Sequence, residues 1–256
     1  LTGAASATTA GVTLVGVDCA VDARNTGVAI AVADASGCRL QGAQMAGTHR
    51  QLVTLVTQAL AADGPAILAL DAPLGWPQPL APALADHHAG DPLDGTADEL
   101  FRRMTDRLIQ ARLGKTPLDV GADRIARTAL ATLRTIAAIR HEANRPLPLL
   151  WAPPAAGEAG IIEVYPAATL RTLGMGERRY KRDADHDVRR AISARLADLL
   201  DVGEHGPTLA DMPDCLDAAL CVLAAWDFAR DLCPAPDAAQ QPRAQREGWI
   251  WVRERA

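Results

Sequence analysis

The chain has 256 residues, 49% of them apolar, with 26 Lys/Arg against 31 Asp/Glu for a net charge of −5. That length suits one large α/β domain with an insertion, or two small domains, with enough apolar surface for a sizeable core. Overall acidity disfavours indiscriminate coating of nucleic acid. Five cysteines without C-x-x-C spacing argue against a disulfide framework or a zinc site, and no apolar run is long enough to span a bilayer.

Residues 1–11 are small and polar without a basic region, the composition expected of a flexible leader rather than a signal peptide. The unpatterned cysteines lead us to expect a reducing cytoplasm. Residues 12–20 follow as a Val-rich strand that ends at a lone carboxylate, Asp18, and then small residues. A strand buried on both faces has no structural use for an acid, because an unpaired buried charge costs several kcal/mol or more. Asp18 therefore either serves a metal, a cation or a catalytic task, or it caps the following turn.

Residues 27–33 and 38–45 are predicted strands joined by the Asp34-Ala35-Ser36-Gly37 turn, so the chain opens as an antiparallel meander. A helix over 50–61 precedes a fourth apolar run that again ends in an acid, Asp71. Residues 74–98, rich in Pro, Gly, Asp and His, read as a long loop whose His87 and His88 lack partners at metal spacing. Helices are predicted over 99–113 and 121–144, and residues 74–154 as a helical insertion lying over the site. From Arg102 to Arg145 ten Arg/Lys face four Asp/Glu, basic surface suited to a phosphate-bearing substrate although each Arg taken singly reads as a solvated helix face.

The fifth strand carries Glu163, and Lys181 lies in a basic, loop-like segment before a helix over 185–200. The last long helix, over 211–229, has Pro213 in its first turn, where the missing N–H costs nothing. Asp211 and Asp214 suit capping there, whereas Asp217 lies a turn deeper, ahead of an all-apolar run. It is predicted to enter a polar pocket, with Asp214 on the same face. Residues 247–252 read as an edge strand or docking segment.

Acids crowded at one end of a sheet repel unless divalent cations neutralise them, and oxygen ligands favour Mg²⁺ or Mn²⁺. Two such ions about 4 Å apart can activate water and stabilise a leaving oxygen in phosphodiester cleavage. Arg103, Arg107 and Lys181 are the candidate phosphate-binding groups. No P-loop, H-E-x-x-H or G-x-S-x-G signature competes.

In combination, G-V-D at Asp18, L-D-A-P-L-G-W-P at Asp71, the Arg103/Asp106 pair, E-V-Y-P at Glu163, D-x-x-D-A at Asp214/Asp217 and the closing E-G-W-I resemble the DUF429 family. The resemblance runs from about Val12 to Val252 and implies a ribonuclease H-like domain over 12–252 and a predicted nuclease. The D-x-x-D-A helix also resembles that of Holliday-junction resolvases, in which both acids bind metal. By that likeness Asp18, Asp71, Asp214 and Asp217 are candidate ligands for two Mg²⁺ or Mn²⁺ ions. Asp18, Asp71, Asp217 and Glu163 are the candidate catalytic groups, Glu163 as a further ligand or the water-orienting base. The expected architecture is an α/β ribonuclease H-like mixed five-stranded sheet flanked by helices, with the insertion after strand four, and the expected partner is a nucleic acid. The alternatives are a Mg-nucleotide phosphoryl-transfer enzyme of the same superfamily, and a non-catalytic nucleic-acid-binding or scaffold protein with a vestigial acidic site.

Overall fold

The computed structural model describes residues 11–121, 123–175 and 179–254, so all of the expected leader except Gly11 lies outside the described residues. The core is a five-stranded sheet in the order β3-β2-β1-β4-β5. Strands β1 (Val12–Asp18), β2 (Gly27–Asp34) and β3 (Gly37–Met45) form the antiparallel meander, and β4 (Ala66–Asp71) and β5 (Ala159–Glu163) run parallel to β1. This is the mixed five-stranded sheet flanked by helices that the sequence reading expects. Helix α1 (His49–Ala59) precedes β4. Helices α2 (Leu80–Ala85), α3 (Ala97–Phe101), α4 (Met104–Leu113) and α5 (Asp123–Ala143) lie between β4 and β5. After β5 come α6 (Pro166–Thr172), α7 (His186–Leu196), α8 (Gly206–Asp211), α9 (Pro213–Ala229) and α10 (Gln241–Glu247).

Successive side chains of a strand leave opposite faces, so register decides which acids meet. Asp18 pairs with Asp71, whereas Glu163 pairs with Leu70. Leu14, Ala69 and Ile162 face the core around α9; Val15, Leu68, Leu70 and Ile161 face the core that α1 and α5 supply. By alternation Asp18 and Asp71 leave the sheet on the α9 face, and Glu163 leaves on the other.

Helix α9 is buried nearly all round from Cys215 to Ala225, as its apolar sequence predicts. Two glycines let its backbone lie directly on the sheet. A Cβ at Gly16 would sit 2.1 Å from the Ala218 carbonyl oxygen, and one at Gly27 would sit 2.0 Å from that of Asp214. The glycine of the G-V-D run thus brings α9, and Asp217 with it, against the end of β1.

Several boundaries differ from the sequence reading. The loop predicted over 74–98 contains α2, and the helix predicted over 99–113 breaks at Arg102 and Arg103, both extended. Arg103 cannot continue the helix because its own N–H and guanidinium are held by Asp106, the third residue of α4. The helix predicted over 211–229 is two, split at the extended Met212, so Asp211 ends α8 and caps nothing; it lies 3.0 Å from His186 Nε2. The tail segment docks as expected, with Ile250 in a parallel bridge to Glu163. The body of α5 packs Ile136 and Ile139 against the sheet beside α1, and only its first turns reach the site described next. Among the described residues no helix is long and apolar enough to cross a membrane.

Candidate metal and phosphate site

The carboxyl ends of β1 and β4 and the second turn of α9 enclose a cavity of about 380 Å³ with Asp18, Asp71 and Asp217 on its floor. Asp18 is 8% exposed and Asp217 1%. The Lys181 ammonium contacts Asp217 Oδ2 directly and lies 3.9 Å from Asp18 Oδ2. On the other side of that carboxylate the Tyr180 hydroxyl donates to Asp217 Oδ1 at 2.6 Å. Asp18 and Asp71 receive no side-chain hydrogen bond from a described residue.

Burial and mutual repulsion act on all three acids. Burial, then Asp217, holds the Asp18 carboxyl well above the usual carboxylate range, against the pull of Lys181. The same pair of causes pushes Asp71 up to about 7. Asp217 is also raised by burial, with Lys181 and Tyr180 opposing. Burial works against the charge on Lys181, yet Asp217 and Asp18 prevail and hold its pKa above that of an ordinary lysine. Three carboxylates thus share one ammonium. Among the described residues no set of three or more His, Cys, Asp or Glu side chains is already arranged as a metal-ligand cluster. The ammonium stands between two of the acids that would share a cation.

The other predicted residues go elsewhere. Asp214 is half-buried outside the cavity, close enough for its charge to raise Asp18 and Asp217 further. Arg107 donates to the carbonyls of Asp98 and Arg102, both at 3.0 Å, and so braces the α3–α4 break rather than lining the cavity. His87 is exposed and bonds to the Asp91 carbonyl.

Arg103 and Glu163 touch the cavity wall but belong to a second cluster. The Arg103 guanidinium, 1% exposed, forks onto both oxygens of Glu163 at 2.7 and 2.8 Å and onto both of Asp106 at 2.8 and 3.0 Å. Its fifth N–H donates to the Glu247 carbonyl at 3.1 Å. All five donors are consumed inside the protein. Glu163 Oε2 also accepts the Leu74 N–H. The Glu247 side chain, fully buried, accepts from the backbone of Met104 and Gln78. This cluster ties the loop after β4, the start of α4, the end of β5 and the tail into one frame.

The sequence reading missed Tyr165, Tyr180 and Cys19. The chain has two tyrosines and both line this cavity, a signal that scarcity alone could have given. The Tyr165 phenol, raised to about 12 by burial and then by Asp71, makes no side-chain hydrogen bond with a described residue. Burial raises the Cys19 thiol far above its ordinary value, which leaves it protonated and a poor nucleophile.

Compared with known proteins, the chain matches the family model described as "Protein of unknown function (DUF429)" over residues 16–241, and it belongs to that family. No curated protein matches it. Among solved structures it is similar to Thermus thermophilus RuvC in complex with a Holliday junction substrate. That match has 10% identity and a TM-score of 0.31, and covers 85% of this chain and 97% of the other. At that level the likeness transfers no activity.

Proposed function

We propose that this member of the DUF429 family is a metal-dependent hydrolase of phosphodiester bonds in nucleic acid, with Asp18, Asp71 and Asp217 as its functional core. The observation that supports this reading is the charge imbalance on the cavity floor: Asp18 and Asp217, buried, and Asp71, half-buried, all pushed up by burial and by neighbouring acids, against one ammonium among the described residues, that of Lys181. A fold does not retain such repulsion for packing, and the donors are all hard oxygens, which suit Mg²⁺ or Mn²⁺. The set therefore fits a divalent cation in chemical type. Asp18, Asp71 and Asp217 would hold it, with Asp214, outside the cavity, as the candidate that a second ion would need. Such an ion would lower the pKa of a water and offset charge on the leaving oxygen.

The chain's own residues would then act as follows. Tyr180 fixes the rotamer of Asp217 through its 2.6 Å hydrogen bond. Lys181, half-exposed and on a flexible stem, exchanges its carboxylate partner for a substrate phosphate. Glu163 and Arg103, mutually saturated, hold the cavity wall rather than supplying a base or a phosphate clamp. The five unpaired cysteines fit a cytoplasmic setting.

The test is thermal unfolding of wild type and Asp18→Asn with titrated Mn²⁺, read beside cleavage of single-stranded, duplex and branched RNA and DNA. Wild type should gain stability with Mn²⁺ by mass action and cleave at least one substrate, and Asp18→Asn should do neither. Mn²⁺ that neither stabilises wild type nor supports cleavage would overturn the proposal in favour of a scaffold.

A further inference from the structure

Resting on that reading, we infer that the cavity accepts one nucleotide unit at a time, a free nucleotide ester or the unpaired end of a strand, and not an internal phosphodiester of a continuous duplex. Depth is the first reason. With Asp217 1% and Asp18 8% exposed, a phosphate meets them only by descending to the cavity floor. A duplex keeps its phosphates on a stiff outer surface, whereas a single nucleotide or a frayed end can enter.

The second reason is the count of cations. Gripping a strand at successive phosphates takes a row of Lys and Arg side chains. Among the described residues two cations line this cavity, Lys181 and Arg103, and every N–H of Arg103 is already donated within the protein. Of these two only Lys181 can turn to a substrate, which provides for one phosphate.

The third reason is the wall. Pro117, Leu118 and Ile125 form one side, and Tyr165, Pro166 and Ile250 contribute to the rest. Leu118 is 68% exposed and so has little packing to do for the fold. A volume of about 380 Å³ with an apolar wall over a polar floor falls in the range of small-ligand sites, roughly 300–1,000 Å³. An acidic floor under an apolar wall fits a phosphate ester carrying one flat ring system, and the Tyr165 hydroxyl, which bonds to no side chain among the described residues, offers a donor to its sugar or base.

The first measurement is binding of thymidine and uridine 5′-monophosphate to the Mn²⁺-loaded protein by calorimetry, for wild type and Leu118→Glu. At saturating Mn²⁺ wild type should bind, and Leu118→Glu should bind roughly tenfold more weakly. The second uses the p-nitrophenyl ester of thymidine 5′-monophosphate, linear single strands, and covalently closed circles of RNA and DNA. On the ester, a water oxygen bonds phosphorus as the p-nitrophenolate oxygen leaves, and two protons pass to solvent at alkaline pH. Hydrolysis of the ester marks a free-nucleotide source, release of mononucleotides from linear ends marks a strand-end source, and in both cases circles stay intact. Circles nicked as fast as linear strands would overturn the inference and leave the hydrolase reading standing. Monophosphate binding indifferent to Leu118→Glu would overturn it too. Leu118-dependent binding without hydrolysis of anything would keep the pocket assignment and sink the hydrolase reading instead.

Discussion

Two clusters of buried acids lie side by side at the carboxyl ends of the parallel strands, and they are wired in opposite ways. Around Arg103 the four oxygens of Asp106 and Glu163 each receive at least one charge-assisted hydrogen bond, and no donor is left over. Around Lys181 three aspartates share one half-exposed ammonium, and two of them receive no side-chain hydrogen bond from a described residue. Both clusters hold deeply buried acids, although Asp71 is only half-buried, so burial alone does not mark a functional site. What separates them is saturation: the first cluster has nothing left to offer a ligand, and the second is short of positive charge. Arg103 can satisfy two carboxylates because its planar fork carries five fixed donors, whereas the Lys181 ammonium acts as a point charge.

The largest effect that this difference predicts is on the saturated side. Arg103→Met would strand Glu163 and Asp106 as buried acids without their partner, at a cost of about 3–5 kcal/mol of unfolding free energy. Arg103→Lys should recover only part of the loss, since one ammonium cannot fork onto two carboxylates. Urea denaturation of both variants is the check. A loss below about 1 kcal/mol for Arg103→Met would mean that the cluster does not brace the fold.

On the unsaturated side the expected signature is a pH slope. Asp71 ionises near 3.8 in the unfolded chain and at about 7 in the folded one, raised first by burial and then by Asp217. Between those values the folded state holds a proton that the unfolded state has released, so stability falls as pH rises through the window. Asp18 is displaced in the same direction, also by burial first, and steepens the fall. Asp71→Asn should therefore match wild type near pH 4.5 and exceed it near pH 7.5 in metal-free buffer, and Mn²⁺ should flatten the wild-type slope. Urea midpoints across that range test it. A wild type whose stability rises toward pH 7.5 as steeply as that of the variant would show the acids to be well solvated.

The sequence carried the floor of this site but not the distinction between the clusters. An apolar run ending in Asp is visible in one dimension, and so is an acid inside an all-apolar helix, because each breaks a burial pattern. Register is not visible in that way. Glu163 ends a strand just as Asp18 and Asp71 do, yet it pairs with Leu70 rather than with Asp71, and alternation sends it to the other face. The break between α3 and α4 was hidden for a related reason: Arg103 and Asp106 are spaced as on one helix, while their mutual hydrogen bonds, closed by a Glu163 sixty residues away, unwind that position. Gly16 enters the sequence reading only as the first residue of the G-V-D motif. Its work, letting α9 settle on β1, depends on a partner two hundred residues away.

Lys181 gives the smallest stability effect and the sharpest division of roles. Its side chain is half-exposed, so water already screens the charge, and Lys181→Met should change unfolding free energy by no more than about 1 kcal/mol. Its effect on Mn²⁺ depends on what the ammonium does there. If it holds the place of a cation between Asp18 and Asp217, its removal frees that place and deepens the charge deficit, and Mn²⁺ should bind roughly three- to tenfold more tightly to Lys181→Met. The same variant, lacking the cation that among the described cavity residues is free to meet a phosphate, should then cleave more slowly at saturating Mn²⁺. Tighter metal with slower cleavage assigns Lys181 both tasks. Weaker Mn²⁺ binding would show instead that the lysine orders the carboxylates for the ion, and the contrast with the Arg103 cluster would narrow to one of degree.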